Sequence, residues 1–361
     1  MIKSPSHPVW LRSWTFCVLG AAALITSACG TTSSSTQQKV SSAPTTTQQL
    51  KPVTIAFAPA PLPDFPEYVA YKEGFYKQNG LNAQLVPVSN AAAGIAAMEG
   101  GSAEIGSLPD PFVFYQSTGK IWPFISGLSN NFWEVVSTGS PIQGNSSSEI
   151  ASLKGEKIGL VGIGSAVYYA LLDALSQGGL NKSQVTVVNI GGIGPPEIAA
   201  LKNGTVNALL VDDGTGATAL KDIPNAHVLI SLAVPGLLPP GIGGSGINAR
   251  SSWVSSHPTE VSDFQKAMAE TQLWMQNPKN FTTVQTLMSQ RVSVTGTALT
   301  ALTHLAVSSL VNVSESVTDL STLYNFDLKN GLLKKPISVE VNKWLAPGVP
   351  QSAAQIKSIG S

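Results

Sequence analysis

Residues 153–180 contain a short apolar segment that runs through glycines into an amphipathic helical pattern. Ile158–Val161 is typical of a buried strand, and Gly162-Ile163-Gly164 allows a sharp turn. Ser165 stands where a helix N-cap is expected, and Gly178-Gly179 ends the helical pattern. N–H groups at such a helix start are open to an anionic or polar ligand group. An ordinary strand–helix turn without a ligand is the alternative.

The same alternation of strands and helices occurs earlier in the chain. It predicts an open, largely parallel sheet, in which ligands bind beyond the carboxyl ends of the strands. The predicted strands are Val53–Phe57, Ala83–Val88 and Ala103–Ser107, and the predicted helices are Glu67–Gln78, Ala91–Met98 and Asp110–Ser117.

A glycine-closed helix followed by a Gly-rich turn and strand occurs twice, at residues 67–106 and 165–210. This internal repeat predicts two similar α/β lobes. Phe132–Ser137 is expected to cross to the second lobe, and residues 234–244 to return. Helical patterns dominate from Pro258 onward and are expected to pack on the first lobe. Two crossings form a hinge about which the lobes can close on a ligand.

The N-terminus has the pattern of an export signal. Lys3 and Arg12 precede the apolar run Phe16–Ile25, which is too short to span a bilayer. Small residues before Cys29 resemble a bacterial lipobox, in which the cysteine carries the lipid. Residues 29–51 are rich in Ser, Thr and Gln and predict a disordered tether. We therefore expect a signal peptide over residues 1–28 and an extracytoplasmic protein anchored to the membrane through the lipid on Cys29.

Charge and cysteine content narrow the functional classes. Removal of the predicted signal peptide takes Lys3 and Arg12 from the 21 basic residues and leaves 19 basic against 21 acidic residues. This slightly negative net charge argues against a nucleic-acid partner. At most one cysteine remains after processing, so no intrachain disulfide is expected.

Motifs of nucleotide-binding and catalytic sites do not occur in the sequence. Neither glycine cluster fits the dinucleotide-binding motif. After Gly162-Ile163-Gly164, Val167 stands where the motif requires a third glycine or alanine, and Gly191–Gly194 is followed directly by Pro195-Pro196. There is no His-Glu-x-x-His, Cys-x-x-Cys or Gly-x-Ser-x-Gly motif. The sequence therefore predicts no cofactor and no metal.

Several segments, in order and spacing, resemble the periplasmic substrate-binding proteins that serve ABC importers of nitrate, sulfonates, taurine and thiamine precursors. These segments are Tyr68–Asn82, Gly100–Gly106, Leu153–Gly159, Val185–Asn189, Ala199–Ala208 and Tyr324–Pro336. The resemblance implies a two-lobed, type II periplasmic-binding-protein-like α/β fold with the ligand cleft between the lobes. We expect lobe 1 at residues 52–136 and 246–361 and lobe 2 at residues 137–245. The resemblance also implies a monomer that binds a small solute without catalysing a reaction and delivers the solute to an ABC permease.

Candidate ligand-binding residues stand at the predicted strand ends, helix starts and crossing. They are Pro61, Leu62, Asn90, Pro109, Asp110, Asn131, Gly164, Ser165, Ala166, Gly192 and Asp213. If Asp110 and Asp213 both line the cleft, a bare anion is disfavoured there. Taurine or a pyrimidine-like compound then fits better than nitrate, and an alkyl sulfonate fits if both acids point away. Trp122, Trp133, Tyr168 and Tyr169 are candidates for stacking on the solute.

Three other functions remain open from the sequence. One is a receptor for a thiamine-pyrimidine precursor or a related heterocycle. The second is an exported enzyme that uses the paired carboxylates Asp212 and Asp213 for acid–base chemistry. The third is a sensory or adhesion lipoprotein on the same fold.

Overall fold

The computed structural model describes residues 49–58, 61–108, 110–142, 144–233, 237–238 and 245–361. The predicted leader with Cys29, most of the predicted tether, Pro109 and most of the predicted return crossing lie outside these ranges. None of the helices within them is both long and apolar enough to cross a membrane.

Within these ranges the chain forms ten strands, which bear out the predicted α/β class. They are β1 (Lys51–Phe57), β2 (Leu81–Pro87), β3 (Ile105–Gly106), β4 (Phe124–Ser129), β5 (Trp133–Ser137), β6 (Lys157–Leu160), β7 (Thr186–Asn189), β8 (Ala208–Asp212), β9 (His227–Ser231) and β10 (Ser245–Ala249).

Fourteen α-helices connect and cover the strands within the described ranges. They are α1 (Phe65–Lys72), α2 (Phe75–Gln78), α3 (Ala91–Glu99), α4 (Pro111–Thr118), α5 (Ser146–Ala151), α6 (Ala166–Gln177), α7 (Pro195–Lys202), α8 (Asp213–Asp222), α9 (Ser251–Ser256), α10 (Pro258–Gln276), α11 (Phe281–Ser289), α12 (Gly296–Leu305), α13 (Val317–Lys329) and α14 (Ala353–Ile359).

The strands form two five-stranded sheets of equivalent topology, with orders β2-β1-β3-β10-β4 and β7-β6-β8-β5-β9. In each sheet the first three strands are parallel, and the fourth runs antiparallel to both of its neighbours. That fourth strand is β10 or β5, the strand by which the chain enters the sheet from the other lobe. We call the part built on the first sheet lobe 1 and the part built on the second sheet lobe 2.

The lobe boundary differs from the one predicted. Residues 133–136 were expected in lobe 1, but the whole of β5 pairs with β8 and β9 of the second sheet. All five residues of β5 are buried, and the strand pairs along both edges, with β8 on one side and β9 on the other. The crossing therefore lies at residues 130–132. At the other boundary β10, which begins at Ser245, pairs in the first sheet.

The predicted helix Glu67–Gln78 is two helices, α1 and α2. Gly74 separates them with φ of +79°, a left-handed conformation that L side chains disfavour. The kink lets Tyr76 stack on Phe264 of α10, with ring centroids 5.4 Å apart. Both rings are buried, and burial of each side chain contributes about 1.5–3 kcal/mol to the stability of lobe 1.

Candidate functional site

The two lobes meet at the carboxyl ends of their parallel strands. Asn90 Nδ2 at the start of α3 donates to the carbonyl oxygen of Gly191, which follows β7, over 3.3 Å. Lys221 Nζ of α8 donates to the carbonyl oxygen of Ser293 in lobe 1 over 2.7 Å. Two hydrogen bonds therefore join the lobes where the ligand cleft is expected.

Gly214 of α8 lies close against lobe 1. A Cβ atom at this position would lie 2.7 Å from Cβ of Pro61 and 3.3 Å from Cγ1 of Val292. Real Cβ atoms do not come as close as the first distance, so the glycine is what allows α8 to rest on lobe 1. Pro61 and Leu62, both predicted ligand contacts, are buried in the loop that follows β1.

The predicted turn between β6 and α6 forms as expected. Ser165 is the N-cap of α6, and its Oγ accepts a hydrogen bond from the amide of Tyr168 over 3.4 Å. Its own amide and hydroxyl both donate to the carbonyl oxygen of Gly162, so these two donors serve the turn. Gly164 is exposed with φ of +86°. Ala166 begins α6, and Gly192 is half-buried in the turn after β7.

Asn131 lies at the crossing and holds the two crossing segments together. Its Nδ2 donates to the carbonyl oxygen of Leu232 over 2.9 Å, and its Oδ1 accepts from the amide of Trp133 over 3.1 Å. The amide of Leu232 also donates to the carbonyl oxygen of Trp133. The side chain thus makes hydrogen bonds within the hinge, and a contact with the solute stays a prediction.

Asp110 lies at the start of α4 beside an acid that the sequence did not single out, Asp327 of α13. Asp110 Oδ1 caps α4 by accepting from the amides of Phe112 and Val113. The ring of Phe112 packs edge-on against Tyr324, one turn before Asp327, with centroids 5.4 Å apart. This packing places the carboxyl groups of Asp110 and Asp327 near each other in lobe 1. Burial, then the charge of Asp110, raises the pKa of Asp327 to about 10.

Tyr169 and Asp173 of helix α6 in lobe 2 interact electrostatically with these acids. Ser165, Tyr169 and Asp173 are four residues apart and share one face of the helix. Burial, then the charge of Asp110, raises the pKa of Asp173 to about 8. Burial and the charges of Asp110 and Asp327 also raise the pKa of Tyr169. We call Asp110, Tyr169, Asp173 and Asp327 the acid pocket.

Several carboxylate oxygens of the acid pocket lack hydrogen-bond partners within the described structure. They are Oδ2 of Asp110, Oδ1 of Asp173 and both oxygens of Asp327. The three residues are at most 2% exposed. Asp110 and Asp327 interact electrostatically, but neither oxygen of Asp327 makes a hydrogen bond of normal geometry. Buried polar atoms without partners are uncommon in folded proteins and call for an explanation.

A second group of acids surrounds the start of α8. Asp212 is the N-cap of α8. Its carboxylate accepts hydrogen bonds of 2.7–3.1 Å from the amides of Gly214 and Thr215 and from Thr215 Oγ1. Burial, then the charge of Asp213, raises the pKa of Glu134 to about 9. Burial, then the charge of Asp212, raises the pKa of Asp213 to about 7. This arrangement contains a carboxyl pair, Glu134 and Asp213, rather than the predicted pair Asp212 and Asp213.

The four aromatic candidates occupy different environments. Trp122 packs on Phe114 in lobe 1, with centroids 4.6 Å apart, and is buried. Trp133 is buried beside Phe132, and its Nε1 has no hydrogen-bond partner within the described structure. Tyr168 and Tyr169 contact each other edge-on on α6. Only Tyr169 belongs to the acid pocket.

The sequence missed a cationic group at the cleft, Arg291, which follows α11. Its guanidinium carbon lies 4.9 Å from the ring centroids of both Phe57 and Tyr68. Burial lowers the pKa of Arg291, and the charges of Asp64 and of Asp212 from lobe 2 oppose this shift. No motif marks this position, because the rings and acids around it come from distant segments. Among the described residues, no group of three or more His, Cys, Asp or Glu side chains is arranged to hold a metal ion.

The raised pKa values predict a fall in stability with rising pH. Asp173, Glu134 and Asp327 are protonated in the folded protein at pH 6 but ionised in the unfolded chain, where carboxyl pKa values are near 4. Each group therefore contributes stability that is fully present below pH 4 and is lost as the pH rises through its folded pKa. For each group the free energy of unfolding falls by up to about 1.4 kcal/mol per pH unit over this range. Thermal melts are expected to show a lower Tm at pH 8 than at pH 5.

Asp173→Asn is the matched variant for this measurement. It should be more stable than the unchanged protein by about 1–3 kcal/mol at pH 8 and similar to it at pH 5. A Tm that is constant or rises over this range would mean that the buried acids are ionised in the folded state.

Comparisons with known proteins agree with this architecture. A family model described as NMT1/THI5 like matches residues 64–281. The alkanesulfonate-binding protein SsuA from Xanthomonas axonopodis pv. citri, solved with MOPS bound, is 17% identical over 82% of this chain and 98% of its own, with a TM-score of 0.65. The periplasmic nitrate-binding protein NrtA from Synechocystis PCC 6803 is 12% identical over 86% and 88%, also with a TM-score of 0.65.

A third similar structure is that of the desulfurization enzyme DSZB, 17% identical over 86% of this chain and 98% of its own, with a TM-score of 0.57. A search of curated protein sequences finds no match. Together the structural likenesses confirm the predicted two-lobed periplasmic-binding-protein fold.

Proposed function

We propose that this chain, which belongs to the NMT1/THI5-like family, is an extracytoplasmic solute-binding protein of an ABC importer. The match over residues 64–281 confirms the resemblance found in the sequence. The protein captures a small polar organic solute when its two lobes close, and it carries out no chemistry. The observation that carries this proposal is that two sheets of equivalent topology meet at the carboxyl ends of their parallel strands, where hydrogen bonds join the two lobes.

The solute we propose is a sulfonate of the taurine type. The similar structures include an alkanesulfonate-binding and a nitrate-binding protein, which supports a small anionic group as part of the solute. The start of α6 at Gly164 and Ser165 is the place we assign to that group. A thiamine-pyrimidine precursor is the alternative solute, and Tyr169 could then stack on its ring.

The permease partner and the membrane anchor are parts of the same proposal. Cys29 lies outside the described residues, so the lipid is supported by the sequence pattern around Cys29 and by the Ser-, Thr- and Gln-rich segment after it. An anchored receptor stays close to its permease, which favours delivery of the solute.

An enzyme that uses Asp212 and Asp213 is less well supported. All hydrogen bonds of the Asp212 carboxylate serve the α8 cap, which leaves it poorly placed to transfer a proton to a substrate. Glu134 and Asp213 remain a carboxyl pair, but their raised pKa values follow first from burial.

A thermal-shift screen of the purified protein tests the proposed function. The panel contains taurine, ethanesulfonate, nitrate and pyrimidines, and a solute should raise Tm progressively with its concentration by mass action. Small-angle scattering with the best compound should show a smaller radius of gyration. Absence of any shift, or release of a product from a bound compound, would contradict the binding-protein proposal.

A further inference from the structure

The connection between α11 and α12 begins with four residues, 290–293, that make contacts in both lobes. The first two contact lobe 1. Gln290 Oε1 accepts a hydrogen bond from the hydroxyl of Tyr68 on α1 over 2.6 Å. The guanidinium carbon of Arg291 lies 4.9 Å from the ring of Tyr68 and 4.9 Å from the ring of Phe57, the last residue of β1. These contacts attach the connection to the carboxyl end of β1, where the cleft is expected.

The next two residues contact α8 of lobe 2. Val292 is buried, and its Cγ1 would lie only 3.3 Å from a Cβ atom at position 214. The carbonyl oxygen of Ser293 accepts a hydrogen bond from Lys221 Nζ over 2.7 Å. Helix α8 also contacts α12 directly. Any movement of α8 away from lobe 1 must therefore break contacts along this connection.

Helix α8 is itself attached to the hinge. The amide of Asp213 donates to the carbonyl oxygen of Phe132 in the crossing over 3.1 Å, and Asp212 stands opposite Trp133 in the pairing of β8 with β5. The helix therefore moves with the second sheet when the lobes rotate about the crossing. A contact between α8 and lobe 1 depends directly on how far the lobes have closed.

We propose that residues 290–293 form a closure latch, which is attached to lobe 1 by Tyr68 and Phe57 and holds α8 of lobe 2 once the lobes have met. This inference rests on the proposed function and adds positioning residues outside the predicted ligand contacts. A contact that forms only after closure stabilises the bound complex without affecting the first encounter with the solute. The latch therefore acts on the rate of dissociation and not on the rate of association.

Lys221→Met tests the lobe 2 end of the latch, because it removes the donor and keeps an unbranched side chain. The probe is taurine, or ethanesulfonate if only that compound binds, and the rates are followed by tryptophan fluorescence in stopped flow. The dissociation rate should rise about threefold to tenfold and the association rate change by less than about twofold. Lys221→Arg keeps a charged donor and should restore slow dissociation. Lys202→Met, at an exposed lysine in the last turn of α7, should leave both rates unchanged.

Tyr68→Phe tests the lobe 1 end, because it removes the hydroxyl bound to Gln290 and keeps the ring beside Arg291. It should also speed dissociation, whereas Tyr71→Phe, at an exposed tyrosine of the same helix, should not. In Tyr68→Phe/Lys221→Met the effects should not add, and the second substitution should change the dissociation rate by less than about twofold. Fully additive effects would mean that the two contacts act independently, which overturns the latch.

Amide hydrogen exchange of the full chain without any solute provides a readout that does not depend on binding. The amides of Arg291 and Val292 donate to the carbonyl oxygen of Met288 over 2.8 and 3.2 Å. Lys221→Met lies in lobe 2 but should speed their exchange in lobe 1 about threefold or more, and Lys202→Met should not.

The outcomes separate this inference from the proposed function. Faster exchange at residues 291 and 292 in a protein that binds no compound of the panel supports the coupling of the lobes and contradicts the binding-protein proposal. Unchanged dissociation rates and unchanged exchange in a protein that does bind a compound overturn the latch and leave the binding-protein proposal intact.

Discussion

Gly216→Ala is expected to lower the free energy of unfolding by about 2–4 kcal/mol, although alanine is the better helix former. A Cβ atom at position 216 would lie 1.6 Å from Oε1 of Glu134, which is buried against α8. The carboxyl group fills the space that the glycine leaves, so the buried Glu134 side chain must leave its place or β5 and α8 must move apart. Urea unfolding at pH 6, where both Glu134 and Asp213 are largely protonated, measures the change.

The same substitution in a Glu134→Ala background identifies the cause. Without the carboxyl group, Gly216→Ala should be neutral or stabilise the protein by up to about 1 kcal/mol, the usual preference for alanine over glycine within a helix. Equal destabilisation in both backgrounds would assign the cost to the backbone of α8 and not to the side chain of Glu134.

Gly214→Ala is expected to hold the lobes apart and to weaken solute binding by about tenfold to a hundredfold, or about 1.4–2.7 kcal/mol. The added Cβ would lie 2.7 Å from Cβ of Pro61 in lobe 1, closer than real Cβ contacts, so α8 and this loop must move apart. It would also lie 2.9 Å from Oδ1 of Asp212, so the α8 cap must adjust as well. Small-angle scattering should show a larger radius of gyration than for the unchanged protein, with or without solute.

Two further variants separate closure from the helix cap. In Gly214→Ala/Pro61→Gly the main obstacle in lobe 1 is gone, and much of the affinity should return. Gly139→Ala adds a Cβ at an exposed glycine of lobe 2, where its nearest contact would be Ser137 Oγ at 3.3 Å, and should bind normally. A radius of gyration for Gly214→Ala that matches the unchanged protein would show that this contact does not control closure.

The candidate site was predictable where it depends on local structure. Asp110, Asn90 and Ser165 cap the helices α4, α3 and α6, and each stands directly after a strand or its turn, so a cap pattern predicts it. Asp173 lies within α6 and Asp327 in the last turn of α13, at positions where an acid usually faces water. No local pattern distinguishes a buried acid from an exposed one at such positions, and both were missed.

Asn131 and Asp212 illustrate a related limit. Both were candidates for a functional role, but the sequence does not specify the partners of a polar side chain. Asn131 makes hinge hydrogen bonds to Leu232 and Trp133, and Asp212 makes a complete helix cap. In both cases a nearby backbone group satisfies the polar atoms that were candidates for a ligand or for catalysis.

The sequence by itself determined the alternation of strands and helices, the duplicated lobe and the family, because turn glycines, cap residues and apolar periodicity act over a few residues. Tertiary structure alone decided that β5 belongs wholly to lobe 2, that Gly214 lies against Pro61 of lobe 1, and that Asp110, Asp173 and Asp327 are buried. These features depend on packing between segments far apart in the chain. The free energy of a buried carboxyl group is set by neighbours that no local stretch of sequence contains.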